Sequence, residues 1–348
     1  MAAVDALEFG IFDQNDHGPY PLHQQYENRL KLIELYDACG FRTYHMSEHH
    51  ATPLNLTPSP SVFLSAIAQR TRRLRFGALV YVLPAHHPLR LAEEICMLDH
   101  LSGGRVEVGI GRGASPHELA YWGIDPDGAQ ATYVEAYHVI MQALTRDAVN
   151  FAGKHYRFEN VPIDLKPLQR PYPPLWYAVP VPEGADWPAQ NRINIVCGGP
   201  LPRVREITER YRAAWAAAGH SSEQPPLLGI TRFVVADDSD RAAMALGRRA
   251  WPVFYRSFMK LWKLHGTQPR YARIPEDFDT LVDNGGAIAG SPATIRERVR
   301  RMTEEAGANY FISQFSFGDL SQEEVLHSIS LFAREMIPGA HERVARAV

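Results

Sequence analysis

Cysteine is scarce. The three present, Cys39, Cys96 and Cys197, are far apart and form no Cys-x-x-Cys pair, so they suggest neither a disulfide framework nor a zinc cluster. Each reads as a small buried apolar residue. Basic excess is also missing: 36 Lys and Arg against 39 Asp and Glu give a formal net charge of −3, too little positive charge to neutralise a row of phosphates. Nucleic acid is therefore not an expected partner. No apolar run approaches the roughly 18 residues that span a bilayer. Residues 1–10 carry Asp5 and Glu8 but no Lys or Arg, the wrong charge for a secretory signal. The expectation is a cytoplasmic protein with no membrane partner. There is no repeat of fixed period, no low-complexity tract and no Gly-x-Ser-x-Gly elbow, which leaves serine-hydrolase chemistry without support.

What is present is an ordinary globular composition, 45% hydrophobic and 22% charged, arranged as alternating β-like runs and helical stripes. Residues 7–12 read as a first strand. Leu32, Leu35, Tyr36 and Cys39 then form one helical stripe, and Gly40 sits where a C-terminal cap belongs. Strands follow at 41–47, at 74–83 with Pro84 as its stop, and at 106–110 after the Leu91, Ile95, Leu98 stripe and Gly103-Gly104. The second half is less regular but offers strands at 175–179, 193–197, 227–236 and 309–315, which makes eight. Ser291-Pro292 reads as an N-cap and first helical residue. Residues 149–174, rich in aromatics and proline, predict a hairpin-like insertion. Residues 268–290 lack periodicity and predict a long loop, a candidate lid. Eight βα units specify a single (β/α)8 barrel across the chain. Such a barrel places its chemistry at the C-terminal ends of its strands.

Three strand ends carry candidates. After the second strand stands Glu48-His49-His50, an acid and two imidazoles suited to general acid/base work near neutral pH. A structural hydrogen bond and metal ligation are the alternatives, the latter disfavoured because adjacent side chains on an extended chain point to opposite faces. After the third strand, His86 and His87 read as loop and cap residues. After the fourth, Gly109-Ile110-Gly111-Arg112-Gly113 allows a ligand close to the backbone and offers one cation. Its third glycine comes one position too early for the dinucleotide fingerprint. Arg112 is either a phosphate partner or a member of a surface ion pair.

Taken in order, Ser47-Glu48-His49-His50, Phe76-Gly77, Val82-Leu83-Pro84, His87-Pro88, Leu98-Asp99, Leu101-Ser102-Gly103-Gly104-Arg105 and the 109–113 run resemble the bacterial-luciferase-like flavin-dependent monooxygenases. The resemblance is dense over residues 7–123. It is thinner beyond, at Gly290-Ser291-Pro292 and Met336-Ile337-Pro338. It implies a TIM barrel of the bacterial-luciferase type with insertions. It also implies a two-component enzyme that takes reduced FMN from a separate flavin reductase and uses O2 to oxidise a small organic substrate, and a homodimer. His49 falls on the family's catalytic histidine and Arg112 on its flavin-phosphate arginine. Glu48, Leu79, Val80, Gly113, Ala114 and Val181 fall against the cofactor, with Leu79-Val80 where the family often has a non-prolyl cis peptide. No metal is implied.

The chain also departs from the family pattern. Pro180-Val181-Pro182 and Gly184 replace hydroxyl donors to the phosphate, and Gln130 and Ala131 stand where a second arginine is common. Weak flavin affinity is the expectation. A deazaflavin-dependent hydride-transfer enzyme and a non-catalytic flavin-binding subunit are the alternative readings. Phe12, Asp13, His17, Tyr81, Trp176 and the 268–290 loop are the expected pocket walls.

Overall fold

The computed structural model describes residues 7–221, 225–269 and 274–340. Among them eight parallel strands form the wall of a barrel: β1 (Glu8–Asp13), β2 (Thr43–Met46), β3 (Arg75–Ala78), β4 (Val108–Gly111), β5 (Leu175–Ala178), β6 (Asn194–Cys197), β7 (Leu228–Ala236) and β8 (Tyr310–Gln314). β8 pairs with both β7 and β1. The wall closes where Phe76 bridges Val106 and where Tyr81–Val82, the continuation of β3, pairs with Ile110 and Gly111 of β4. All eight strands read from the sequence are present in that order. The helical layer comprises α1 (Leu22–Cys39), α2 (Pro60–Arg70), α3 (Pro88–Ser102), α4 (Pro116–Tyr121), α5 (Ala129–Thr145), α6 (Asp186–Gln190), α7 (Leu201–Ala217), α8 (Asp240–Leu264), α9 (Phe278–Asp283), α10 (Pro292–Ala306) and α11 (Gln322–Met336). Gly40 ends α1 at φ 90°, a left-handed position that glycine adopts without a Cβ penalty. None of the described helices is long and apolar enough to cross a membrane.

The 149–174 region holds an antiparallel pair, Ala148–Ala152 with Arg157–Pro162. Residues 268–290 depart from the long loop expected of them. Residues 270–273 lie outside the described set, but α9 and a strand at Ala287–Gly290 occupy about half of the rest, the strand pairing with Phe233–Ala236 of β7. Asp277 caps α9 by accepting from the Thr280 amide at 2.8 Å. Phe278, Leu281 and Val282 bury one face of it. A six-residue helix and a four-residue strand are too short to show a period in the sequence.

Side chains alternate between the barrel interior and the helical layer, and the interior is filled from its N-terminal end. Trp176, Tyr310 and His45 are fully buried there, and glycines face them. A Cβ on Gly10 would lie 1.7 Å from the Tyr310 hydroxyl. Glu107 seals this end, accepting from Trp176 Nε1 at 2.7 Å and pairing with Arg75 at 2.6 Å and Arg42 at 3.4 Å. Burial alone would raise the Glu107 carboxyl, but the two guanidiniums outweigh it and hold it below the usual carboxylate range. With this end plugged, the C-terminal mouth is where a ligand can enter.

Candidate active site

The segment after β2 is anchored before it is functional. The Glu48 carboxylate is fully buried and accepts from the Val82 amide at 2.9 Å, while His86 Nε2 and His50 Nε2 each approach it at 2.9 Å. Burial works to raise this carboxyl, yet the hydrogen bonds from His50, His86 and Val82 pull it below its ordinary value. Burial lowers His86, and Glu48 more than reverses the effect, so the imidazole titrates above its ordinary value. Both Glu48 oxygens are thus engaged within the protein and tie the β2 mouth to that of β3. His86, read from its position only as a loop or cap residue, is half of this buried pair. Asn55 Nδ2 clasps the Ser47 carbonyl at 2.8 Å and fixes the other side of the segment.

On that anchor stands His49. Its Nδ1 meets Glu118 Oε1 at 3.1 Å, and Glu118 Oε2 accepts the His50 amide at 2.8 Å. A carboxylate on Nδ1 fixes that nitrogen as the protonated one and leaves Nε2 as the ring atom free for a ligand. Glu118 belongs to α4, whose N-cap Ser115 accepts from the Glu118 amide. The pattern of residues around 115–118 shows a cap but not a partner for His49, because the two lie 69 positions apart. Glu118 is the site residue that reasoning from the sequence missed.

His49 and Glu118 line a concavity of about 80 Å³ together with Thr52, Leu54, Ala114 and Ser115. Its roof is the end of α8, which presents Phe258, Leu261 and Trp262. α4 and α8 are joined at the rim: the His117 and His265 rings stack at 4.1 Å, His117 Nε2 meets the Thr267 hydroxyl at 2.7 Å, and Tyr121 meets His265 Nε2 at 2.6 Å. Of the expected pocket walls, Pro269 of the 268–290 segment lines the concavity, and the others are placed differently. Phe12 packs with Leu79, Val80 and Trp176 inside the barrel, but Trp176 is held at the plugged end by Glu107. Asp13 faces the helical layer, accepting from the Tyr44 hydroxyl at 2.8 Å and pairing with Arg29 at 3.3 Å. Tyr81 is buried against the Ser61 hydroxyl at 3.1 Å, and His17 is exposed. One-residue alternation along each strand decides these placements, and the concavity draws instead on α4 and α8.

The Leu79-Val80 peptide bond is cis. β4 passes directly beneath this segment: a Cβ on Gly109 would lie 2.4 Å from the Ala78 carbonyl oxygen, and one on Gly111 would lie 2.5 Å from Val80 Cγ2. The glycines of the 109–113 run thus serve chain-on-chain approach. Arg112 follows, half-buried, near Tyr177 of β5. Among the described residues its guanidinium has neither a hydrogen bond nor an ion pair. Gly113 takes φ 94° and turns the chain toward Ala114 in the concavity. Val181 is exposed at the turn after β5, where its carbonyl accepts from the Gly184 amide at 3.0 Å.

Comparison with known proteins agrees with this architecture. The luciferase-like monooxygenase family model matches residues 7–310. The chain is 42% identical to the uncharacterized protein y4wF of Sinorhizobium fredii over 95% of its length and 96% of the relative's. It is 29% identical to 4-hydroxyprotoasukamycin monooxygenase of Streptomyces nodosus, covering 96% and 92%, and 29% identical to the oxygenase component of the flavin-dependent trigonelline monooxygenase of Acinetobacter baylyi, covering 68% and 66%. Among solved structures, the monooxygenase RslO1 of Streptomyces bottropensis superposes with a TM-score of 0.85 at 26% identity, covering 95% and 99%. The chain belongs to the luciferase-like monooxygenases, a family of flavin-dependent enzymes.

Proposed function

We propose that this protein is the oxygenase component of a two-component monooxygenase, using reduced FMN from a separate reductase and O2 to oxidise a small organic substrate. The observation that carries the reading is the His49–Glu118 pair lining a concavity that also includes Ala114, two residues beyond Arg112, whose guanidinium has no counter-ion among the described residues. A cation without a counter-ion at a barrel mouth suits a phosphate. Leu79, Val80 and Phe12 offer an apolar floor for a ring system, and Gly113, Ala114 and Val181 complete the residues that would hold it. The donor set therefore fits FMN, though with one cation and no second arginine. When bound, reduced flavin supplies two electrons to O2, so that one oxygen atom enters the substrate and the other leaves as water.

The chain's own contribution is proton control and exclusion of water. Glu118 holds the Nδ1 proton of His49, so Nε2 is positioned to take or return a proton at the reacting centre. The apolar side chains of Phe258, Leu261 and Trp262 on α8 line the same concavity as His49, and water excluded by a bound ligand there strengthens polar interactions. A silent flavin-binding subunit has no use for this pair.

The test is oxygen uptake and product formation with FMN, a flavin reductase and reduced nicotinamide, comparing wild type with His49→Ala, alongside equilibrium titrations with FMN and a deazaflavin. Product from the wild type and a loss of at least 10²-fold in the variant support the reading. Binding of the deazaflavin alone, or an unaltered variant, overturns it.

A further inference from the structure

The lining of the concavity carries information about what it accepts. Its walls are Leu54, Phe258, Leu261, Trp262 and Pro269, and its polar edge is His49, Thr52, Ser115 and Glu118. Neither Lys nor Arg is among these residues, and one of them is a carboxylate. We propose that the site selects uncharged, mainly apolar substrates bearing a single hydrogen-bonding oxygen, and that Glu118 is the residue that rejects anions. This rests on the concavity being the substrate side of the site proposed above.

Two physical arguments support the choice. An anionic head group at this edge meets the Glu118 carboxylate at close range, with no cation among the described lining residues to offset it. At short separation in a partly dry site, like charges disfavour binding by tenfold or more. A polar group pulled out of water also needs a partner. Thr52 is not available for this, because its hydroxyl donates to the Ser257 carbonyl and accepts from the Leu54 amide. Ser115 Oγ accepts from the Glu118 amide, so its proton remains to be donated, and His49 Nε2 is the other free polar atom. The Ser115 hydroxyl can donate to one carbonyl or hydroxyl oxygen, while Nε2, an acceptor in this tautomer, adds a bond only to a hydroxyl. The remainder of the surface offers aromatic and aliphatic contact, which pays in buried apolar area for a ring or chain.

A head-group series on one chain length tests this without turnover. Binding of 2-octanone, octanoate, octane-1-sulfonate and octylamine at pH 8 is followed by quenching of tryptophan fluorescence and by calorimetry, on the FMN-saturated protein and on the protein alone. The expected order places 2-octanone first, with both anions at least tenfold weaker. In Glu118→Gln the gap between ketone and anions should narrow by about tenfold. Leu261→Trp, which fills the apolar side, should weaken 2-octanone while leaving the circular dichroism spectrum intact. Anions that bind as tightly as the ketone, a gap untouched by Glu118→Gln, or no saturable ketone binding would each overturn the proposal. These outcomes are separable from a failure of the oxygenase reading, since selective binding without product would sink only the latter.

Discussion

His49 and Glu118 meet through Nδ1 and Oε1 at 3.1 Å, although 69 positions separate them in the chain. The same carboxylate takes the next backbone amide, so one acid fixes both the tautomer of the imidazole and the path of the chain that carries it. Glu118→Ala should lower kcat by about 10²-fold with little change in the FMN dissociation constant, and Glu118→Asp should recover part of the loss. Steady-state kinetics beside flavin titration checks this. A loss confined to flavin affinity would show that Glu118 does not act through His49.

Removing Glu48 tests the anchor instead. Glu48→Ala strands the Val82 amide and two imidazoles around a cavity, and breaking a buried ionic cluster costs about 3 kcal/mol or more. The pH dependence has two limbs. A carboxyl lowered in the folded state stabilises above its unfolded value and loses that contribution as pH falls through its folded value. An imidazole raised in the folded state, as in His86, stabilises fully below its unfolded value and loses that contribution as pH rises through its folded value. The Glu48–His86 contribution should therefore be greatest in mildly acidic solution. Urea melts of wild type and His86→Asn across pH 4 to 9 measure it.

His45 predicts an acid limb of its own. Its ring is fully buried, with Nε2 on the Tyr310 hydroxyl at 3.2 Å, and burial pushes it down to about 4. The unfolded chain takes up a proton below about pH 6.5 that the folded one refuses, so stability is present above that pH and falls toward pH 4 by about 3 kcal/mol. His45→Gln should flatten this part of the stability–pH profile.

Asp16 predicts the opposite slope. It accepts the Gly318 amide at 2.8 Å while burial raises its carboxyl to about 7. A carboxyl raised in the folded state favours folding while protonated and loses that advantage as pH rises from the unfolded value through 7. Asp16→Asn, which keeps an acceptor for Gly318, should therefore stabilise more at pH 8 than at pH 5. Equal gains at both values would refute the assignment.

The barrel was legible because each strand is a compact apolar run bounded by glycine, proline or a helical stripe, and because Gly40 and Gly103 punctuate the helices where left-handed turns occur. His49 and Arg112 were legible as residues at strand ends. Glu118 was not, because α4 is one and a half turns long and its partner is remote. The roof was not, because Phe258, Leu261 and Trp262 fit the apolar stripe of an ordinary packed helix, and only the fold shows that their end of α8 overhangs the mouth. Trp176 and Tyr81 misled because membership of a mouth-bearing strand does not decide which way a side chain points.

The proline inside α8 has a consequence for how this enzyme can change. Pro252 cannot donate to the carbonyl one turn back, which loosens the helix at that point. Every roof residue lies beyond it, on a stretch anchored by Phe254 against Phe233 of β7 and by the Thr52 hydroxyl at the Ser257 carbonyl. New specificities can therefore arise by rewriting about a dozen terminal residues of one helix, with the proton-handling pair and the strand framework inherited unaltered.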